Sequence, residues 1–175
     1  MGSKFPKLIV ILFLIFNSFS LLKLKAQQQD SLYVYLFLSE TCPICQSVTQ
    51  ELRYLAKENK ANAIKFIGVF PSKMSNDITR AKFLKKYNID FTSIGDTSLY
   101  FTTLLKASTT PEVVVVNKTN NEIYYRGSID NSFASIGKRR KVVTDFYLRD
   151  ALRAFYSRIP LSLTVTKPVG CLIQK

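Results

Sequence analysis

The sequence predicts an α/β fold, a central mixed sheet with helices on both faces, and three observations lead to it. Apolar runs of strand length alternate with segments whose apolar residues recur at helical spacing, as in a layered α/β domain. Hydrophobic residues make up 47% of the 175 residues and charged residues 21%, which is a globular composition. The last two strand-like runs are separated only by turn-forming residues, which indicates an antiparallel hairpin.

The first strand and the first helix follow one another directly. Residues 31–39 (SLYVYLFLS) are almost continuously apolar, so we expect a strand that is buried on both faces. Beyond Cys42 apolar residues recur at helical spacing, which predicts a helix to about Lys57 with an inner face of Ile44, Val48, Leu52 and Leu55. Residues 63–70 (AIKFIGVF) predict a second strand. Because a helix joins these two strands, we expect them to be parallel, with a right-handed crossover.

The middle of the chain predicts two further helices. One spans about residues 76–87 and carries apolar residues three apart, namely Ile78, Ala81, Leu84 and Tyr87. The pair Asp96-Thr97 is suited to cap the other, because both side chains can accept hydrogen bonds from free helical N–H groups. We expect this second helix to place Leu104 and Leu105 on its inner side.

The C-terminal part predicts a hairpin and a last helix. Residues 112–117 form a valine-rich strand, residues 118–121 (KTNN) a turn, and residues 122–127 (EIYYRG) the antiparallel partner strand. An amphipathic helix follows, marked by Leu148, Ala151, Leu152, Phe155 and Ile159. The tail after it contains Gly170-Cys171-Leu172.

Residues 1–26 are predicted to be an export signal, which leaves residues 27–175 as the folded domain. Two lysines precede an apolar stretch over residues 8–22, and Ala26 offers a small residue for cleavage. Leu24 is a poor fit to the small residue expected two before Ala26, so an uncleaved N-terminal anchor is the alternative. We expect an exported, periplasmic protein, in a compartment where disulfides can persist.

The composition excludes several classes of function. Histidine is absent, which excludes His-ligated zinc, haem and copper sites, Ser-His and Cys-His catalytic pairs and histidine pH switches. Lys and Arg number 25 against 12 Asp and Glu, a formal charge of +13. In an exported protein this charge favours membrane surfaces or acidic partners over nucleic acid. We interpret the basic run Lys138, Arg139, Arg140 and Lys141 as a solvated loop, with a contact to an anionic membrane surface or a partner as the alternative.

The motif Cys42-Pro43-Ile44-Cys45 lies where the first strand passes into the first helix. Proline suits the first helical position, because its missing N–H would have no partner there. Cys42 then lies at the helix N-terminus, where free N–H groups and the helix dipole favour a thiolate. Since Cys45 follows within one helical turn, both sulfur atoms face the same side. We expect an exposed Cys42 with a moderately lowered pKa and a more buried Cys45 that resolves mixed disulfides, with reduction of the partner favoured over oxidation.

Other roles for these cysteines stay open. The pair can instead form a static disulfide, or bind Cu(I) in a non-catalytic carrier or adaptor module. Only Cys171 and methionine remain as further soft ligands for such a site. Cys171 itself is interpreted as an inert free thiol, with pairing to another protein or a soft-metal site as alternatives. The sequence requires no cofactor and predicts no resident metal.

Five motifs in order (FLSETCPIC, KKYNIDF followed by Asp96, TTPEVVVVN, YYRGSIDN and VGCLI) carry a family resemblance. The chain resembles the thioredoxin-like superfamily, and within it a peroxiredoxin-like redoxin group of exported bacterial proteins. The resemblance implies disulfide exchange with a partner protein through Cys42 and Cys45, with an unknown redox donor. It also implies that Pro111 is a cis proline facing the cysteines, and that Thr110 presents its backbone to an incoming peptide.

The chain departs from the family pattern near the cysteines. Thr41 stands where thioredoxins usually have tryptophan, and Leu36 stands where they have a buried carboxylate that assists proton transfer. Glu40 is the nearest acid and is therefore the candidate for proton transfer, with a solvated loop residue as the alternative.

A thiol peroxidase is the runner-up function. With either Cys42 or Cys45 as the peroxide-reactive cysteine, however, the sequence does not supply the full Pro-x-x-x-Thr-x-x-Cys cradle.

Overall fold

Strands and helices alternate along residues 31–174, the part of the chain that the computed structural model describes. The signal or anchor predicted for residues 1–26 lies outside the described residues. The elements, in chain order, are β1 (Leu32–Phe37), α1 (Pro43–Glu58), β2 (Ile64–Phe70), α2 (Asp77–Lys86), β3 (Thr92–Gly95), α3 (Tyr100–Leu104), β4 (Thr109–Thr110), β5 (Glu112–Asn117), β6 (Glu122–Gly127), β7 (Phe133–Ser135), β8 (Lys138–Arg139), α4 (Tyr147–Ser157) and β9 (Cys171–Leu172). Within the described residues, no helix is long and apolar enough to span a membrane.

β1 is the middle strand of a five-stranded sheet with the order β3-β2-β1-β5-β6. It runs parallel to β2, with Leu32 opposite Ile64, and antiparallel to β5, with Leu36 opposite Val113. β5 in turn pairs antiparallel with β6. The mixed sheet, the parallel first pair and the C-terminal hairpin predicted from the sequence are therefore confirmed.

Alternate residues of β1 supply two hydrophobic cores, because successive side chains of a strand point to opposite faces of the sheet. Val34 and Leu36 belong to the larger core, which includes the apolar residues of α1 and α4, namely Ile44, Val48, Leu52, Leu55, Leu148, Ala151 and Leu152. Phe37 belongs to the second core, together with Phe101 of α3 and the adjacent Leu105. Helices thus cover both faces of the sheet, as predicted.

The α2 helix turns inward only part of the face that its spacing suggests, since Leu84 and Tyr87 pack against the larger core as expected. Ile78, expected inside, is 67% exposed. Phe83 is buried instead, with its ring centroid 5.8 Å from that of Phe70 and 4.9 Å from that of Tyr87. Phe83 is the bulkiest apolar side chain of α2, so its burial removes the most area from water and decides which face packs.

The α3 helix has Leu99, and not Asp96 or Thr97, as its N-cap residue, although the Asp96 carboxylate still binds its first N–H groups, and its end packs differently from the prediction. One carboxylate oxygen of Asp96 accepts a hydrogen bond from the Phe101 N–H at 3.1 Å, and the other accepts one from the Thr102 N–H at 2.8 Å. Leu105 is buried, whereas Leu104, also expected inside, is 60% exposed. Leu104 and Leu105 are consecutive, so they lie about 100° apart around a helix and only one can face the sheet.

Several boundaries and short strands were not predicted. The last helix ends at Ser157, because Arg158 adopts a left-handed φ of 53°, and Ile159 lies exposed beyond it. The strands β3, β4, β7, β8 and β9 have two to four residues each, too few for a periodic signal. The basic run is not wholly a loop, since Lys138 and Arg139 form β8, an exposed strand paired with β7.

Candidate functional site

Cys42 lies between β1 and α1 and is the N-cap residue of α1. Its backbone is extended, with φ −77° and ψ 116°, and Pro43 occupies the first helical position. The Cys42 carbonyl accepts the first helical hydrogen bond from the Gln46 N–H at 3.1 Å. The sequence prediction of a cysteine at the helix N-terminus therefore matches the geometry of this junction.

Both cysteines of the motif are buried. Cys45 has no exposed surface, and the Ser39 N–H donates a hydrogen bond to its Sγ at 3.4 Å. Cys42, expected to be exposed, is only 2% exposed. The expectation of an exposed Cys42 is therefore wrong, because the C-terminal tail lies over its sulfur atom, as described below.

The peptide bond between Thr110 and Pro111 is cis and lies beside Cys42. The Cys42 thiol contacts the Thr110 carbonyl oxygen, with Sγ and O 3.3 Å apart. Thr110 ends the two-residue strand β4. The structure thus brings Cys42, Cys45, Thr110 and Pro111 together at one site, as the family resemblance implies.

The strand β9 of the C-terminal tail pairs antiparallel with β4. Cys171 lies opposite Thr110 and Leu172 opposite Thr109. This register places the Cys171 Sγ 2.7 Å from the Cys42 Sγ. A third thiol, 129 residues away along the chain, therefore completes the site, although Cys171 itself is exposed to solvent.

Close backbone packing holds the tail in this position. A Cβ added to Gly170 would lie 2.2 Å from the Thr110 carbonyl oxygen, so only glycine allows this approach. After Cys171 and Leu172, the Ile173 N–H donates to the Ser108 carbonyl at 3.0 Å. Before them, the Thr166 N–H donates to the Arg126 carbonyl at 3.0 Å, which attaches the tail to β6.

The buried carboxylate of Glu112 shapes the segment that leads into β4. Its Oε2 accepts hydrogen bonds from the N–H groups of Ser108 at 2.8 Å and Thr109 at 3.1 Å, and from the Ser108 hydroxyl at 3.1 Å. Glu112 is buried, at the start of β5. A charged acceptor for two backbone donors fixes the strand to which the tail binds.

The three thiols shift each other's pKa in opposite directions. Hydrogen bonds from Cys45 and Cys171 lower the pKa of Cys42 to about 4, although burial acts to raise it. Burial and the hydrogen bond to Cys42 raise the pKa of Cys45 well above its usual value and that of Cys171 to about 11. At neutral pH Cys42 is therefore a thiolate between two thiols. This lowering exceeds the moderate one expected from the helix N-terminus, because two thiol donors act on the same sulfur atom.

Glu40, the predicted proton-transfer group, is engaged with the start of α2. Its Oε1 accepts hydrogen bonds from the hydroxyls of Ser75 at 2.7 Å and Thr79 at 2.8 Å. Its backbone carbonyl accepts one from the Gln46 side chain at 2.9 Å. These bonds give Glu40 a structural role, because they join the segment just before Cys42 to the start of α2. The part of Glu40 in proton transfer stays a prediction.

The described residues do not provide a metal centre. Over residues 31–174, no group of three or more His, Cys, Asp or Glu side chains is arranged to hold a metal ion. Cys42, Cys45 and Cys171 all occur as free thiols.

Sequence reasoning missed the position of Cys171 in the site. From the sequence, Cys171 is only an odd thiol in a short apolar motif and is interpreted as inert. The glycine before it and the fact that the motif can form a strand are the signals that could have suggested a backbone pairing. Neither signal says which strand it pairs with, because the partner β4 has only two residues.

Comparisons with known proteins place the chain among related folds. A family model described as Redoxin matches residues 1–138. An uncharacterised conserved protein from Geobacillus kaustophilus has a TM-score of 0.72 at 20% identity, over 84% of this chain and 79% of its own. A hypothetical protein from Sinorhizobium meliloti 1021 has a TM-score of 0.68 at 21% identity, over 83% and 80%.

A candidate thioredoxin from Neisseria meningitidis has a TM-score of 0.50 at 18% identity, over 56% of this chain and 64% of its own. At these identities the likeness is one of fold. None of the curated proteins compared with the chain has a significantly similar sequence.

Proposed function

The chain belongs to the Redoxin family and has a thioredoxin-like fold, and from this we propose that it is a thiol-disulfide oxidoreductase acting through Cys42 and Cys45. The observation that carries the proposal is the position of Cys42 at the N-terminus of α1, with Cys45 one turn along the same helix and the Thr110 carbonyl oxygen 3.3 Å from the Cys42 Sγ. The pKa of Cys42 is lowered to about 4, while that of Cys45 is raised. One nucleophilic thiolate beside one protonated thiol is the arrangement that disulfide exchange needs.

The reaction proceeds through a mixed disulfide. The Cys42 thiolate attacks one sulfur of a partner's disulfide, forming a Cys42–partner bond and releasing the second partner sulfur as a thiolate. Cys45 then loses its proton and attacks the Cys42 Sγ, which releases the first partner sulfur. The pair ends as a Cys42–Cys45 disulfide, the partner ends as a dithiol, and two electrons have passed to the partner.

Removing the Cys45 proton is the demanding step, because burial raises the pKa of this thiol. The Glu40 carboxylate is held by Ser75 and Thr79. We therefore assign the proton to the departing partner thiolate or to water, with Glu40 as an indirect contributor. Leu36 stands where thioredoxins have a carboxylate, and it is fully buried. Its apolar side chain has no atom that could accept the proton.

The direction of exchange depends on how strongly the reduced form is stabilised. The sequence favours reduction of the partner, on the expectation of a moderate pKa shift. The lower pKa of Cys42 argues for a more oxidising couple, because a stabilised thiolate is a stabilised reduced state. A titration of the protein with glutathione buffers of known potential measures the reduction potential of the Cys42–Cys45 pair and thereby decides the direction.

The same titration measures the number of protons taken up on reduction. With Cys42 as thiolate and Cys45 as thiol, reduction takes up one proton. The potential should therefore fall by about 30 mV per pH unit near neutrality, instead of about 59 mV for two protons.

Insulin reduction with dithiothreitol tests the proposed activity. We expect the wild-type protein to accelerate insulin precipitation, Cys42→Ser to abolish the effect, and the double variant Cys45→Ser/Cys171→Ser to accumulate mixed disulfides on Cys42. Ser47→Ala on α1, whose hydroxyl bonds only the local Ile44 carbonyl in the described structure, is the matched control and should stay active.

If the wild-type protein never changes oxidation state in glutathione buffers, the proposal fails. Consumption of hydroperoxide with a sulfenic acid on one cysteine would favour the peroxidase alternative. Stoichiometric Cu(I) binding without exchange would favour the carrier alternative.

We also propose export and a contact with anionic membranes. Export is supported by the signal-like residues 1–26, and the mass of the protein recovered from the periplasm tests cleavage after Ala26. The membrane contact is supported by the exposed basic residues 138–141. Salt-sensitive binding to vesicles containing anionic lipid, lost when these four residues are replaced by Gln, tests it.

A further inference from the structure

Building on the proposed function, we propose that Cys171 is a third redox-active cysteine. In this proposal it takes over the disulfide of the Cys42–Cys45 pair as a Cys42–Cys171 disulfide and exchanges it with thiols outside the protein. The C-terminal tail is then a built-in exchange partner, seated where a partner peptide would lie. Four features of the described residues support this assignment.

The first feature is the distance between the sulfur atoms. The Sγ atoms of Cys42 and Cys171 are 2.7 Å apart, against about 2.05 Å in a disulfide bond. The tail therefore needs only a small adjustment for the bond to form. Cys171 is as well placed to react with Cys42 as a partner's cysteine would be.

The second feature is the strand pairing. The strand β9 pairs antiparallel with β4, with Cys171 opposite Thr110 and Leu172 opposite Thr109. An extended segment added to an exposed strand edge is a common mode of peptide binding. The tail thus occupies the edge that a partner would use and presents a cysteine directly at Cys42.

The third feature is the difference in access. Cys42 and Cys45 are 2% and 0% exposed, whereas Cys171 is exposed. A groove opens at Cys171, lined also by Ser39, Thr41, Ser72, Lys73 and Met74. While the tail is docked, an outside thiol therefore reaches Cys171 more readily than either buried cysteine.

The fourth feature is the order of the pKa values. When an outside thiolate attacks the Cys171 Sγ of a Cys42–Cys171 disulfide, Cys42 is the leaving group. The hydrogen bond from Cys45 lowers the pKa of Cys42, and thiols of lowered pKa are better leaving groups. Attack at the exposed sulfur is therefore favoured by both access and chemistry.

The exchange balances without an added oxidant. The Cys171 thiolate attacks the Cys42 Sγ of the Cys42–Cys45 disulfide, so one S–S bond forms as another breaks. Cys45 leaves as a thiolate and takes up the proton that Cys171 lost. An outside thiolate then attacks the Cys171 Sγ, which breaks the Cys42–Cys171 bond, releases Cys42 as a thiolate and forms a mixed disulfide on Cys171. A second outside thiolate attacks the outside sulfur of this mixed disulfide, which releases Cys171 and leaves the two outside thiols joined as a disulfide. Two electrons thus pass from the outside thiols to the protein, and the reverse sequence passes them out.

Disulfide mapping of cysteine variants tests whether the second disulfide forms. Cys45→Ser leaves Cys42 and Cys171, and after treatment with oxidised glutathione we expect an intramolecular disulfide with no free thiol. Cys42→Ser leaves Cys45 and Cys171 and is the matched control, in which we expect no intramolecular disulfide. If Cys45→Ser gives only separate glutathione adducts on Cys42 and Cys171, the third redox cysteine is overturned.

A kinetic test separates this proposal from the function on which it rests. Cys171→Ser should still form the Cys42–Cys45 disulfide, but reduced glutathione should reduce that disulfide at least tenfold more slowly than in wild type. Leu163→Ser, at an exposed position in the chain leading to the tail, should react at the wild-type rate. An unchanged rate in Cys171→Ser overturns the relay and leaves the proposed function standing. If Cys42 and Cys45 form no disulfide in the wild-type protein or in Cys171→Ser, the proposed function itself is overturned.

Discussion

At the scale of single residues, reactivity follows from contacts between the three cysteines. Cys42 lies at the helix N-terminus and receives hydrogen bonds from the thiols on either side, which lowers its pKa. Cys45 and Cys171 have raised pKa values because burial and the neighbouring Cys42 charge penalise a second thiolate. The site therefore concentrates one negative charge on one sulfur atom. The position of that sulfur, between Thr110 and Cys171, decides what it attacks.

The thiolate of Cys42 should be visible by its ultraviolet absorbance. In the reduced protein we expect the absorbance at 240 nm to rise as pH increases, with a midpoint near the pKa of about 4. In Cys42→Ser this step should be absent. A midpoint above pH 8 in the wild-type protein would contradict the assignment.

At the scale of elements, the two-residue strand β4 connects the cysteine helix with the tail. Glu112 shapes the approach to β4 from one side by accepting the N–H groups of Ser108 and Thr109. Gly170 permits the tail to approach from the other side. A short strand thus has a defined position because neighbouring elements satisfy its backbone on both sides.

Replacing Glu112 should destabilise the protein through unsatisfied backbone donors. In Glu112→Ala the N–H groups of Ser108 and of the buried Thr109 lose their acceptor, so we expect the free energy of unfolding to fall by about 1–3 kcal/mol. Glu112→Gln keeps an oxygen acceptor and should lose less. Urea denaturation measures both, with the exposed Glu122→Ala as control. Equal stability of Glu112→Ala and Glu122→Ala would refute the role of Glu112.

Replacing Gly170 should release the tail from the site. In Gly170→Ala the new Cβ would lie 2.2 Å from the Thr110 carbonyl oxygen, so β9 must move away from β4. Cys42 should then be uncovered, and we expect its alkylation by iodoacetamide at pH 7 to be faster than in wild type. Gly137→Ala, where an added Cβ meets nothing within 4 Å, is a control for glycine replacement, although its φ of 77° adds local strain. An alkylation rate in Gly170→Ala equal to that of wild type would show that the tail does not limit access.

At the scale of the whole molecule, the sheet positions the site and the ionisation of the site feeds back on stability. β1 delivers Cys42 to the edge where β5 begins, because the two strands pair antiparallel with Phe37 opposite Glu112. Beside the apolar face of α1, Glu51 pairs with Arg149 of α4, with Oε2 and the guanidinium nitrogen 2.6 Å apart. The cysteine helix is thus held to the sheet by its apolar face and to α4 by an ion pair.

The lowered pKa of Cys42 makes the stability of the reduced protein depend on pH. The folded protein keeps Cys42 ionised down to about pH 4, whereas the unfolded chain binds the proton below about pH 9. The resulting stability is present at high pH and is lost as pH falls. Between pH 5 and 8 we expect reduced wild type to gain up to about 1.4 kcal/mol per pH unit relative to Cys42→Ser.

Urea denaturation of both proteins at several pH values measures this difference. Cys45 and Cys171 do not contribute to the pH dependence of stability between pH 5 and 8, because raised pKa values in the folded state change the stability only above about pH 9. A difference between wild type and Cys42→Ser that does not change with pH would contradict a thiolate at Cys42.

The sequence predicted best where a regular pattern extends over a whole element. β1, α1, β2, β5 and β6 each carry enough apolar residues for periodicity to identify them. It predicted poorly where one bulky residue decides the packing, as Phe83 does in α2, or where a strand has two residues, as β4 and β9 do. In those places tertiary contacts outweigh local preference.

For the site itself, the sequence alone determined that two cysteines stand one turn apart at a helix N-terminus after a buried strand, since that arrangement depends on neighbouring residues only. Tertiary structure alone decided that Cys171 reaches Cys42 and that the tail covers it. Contacts between residues 129 positions apart depend on the register of β9 against β4, which the fold of the whole domain sets.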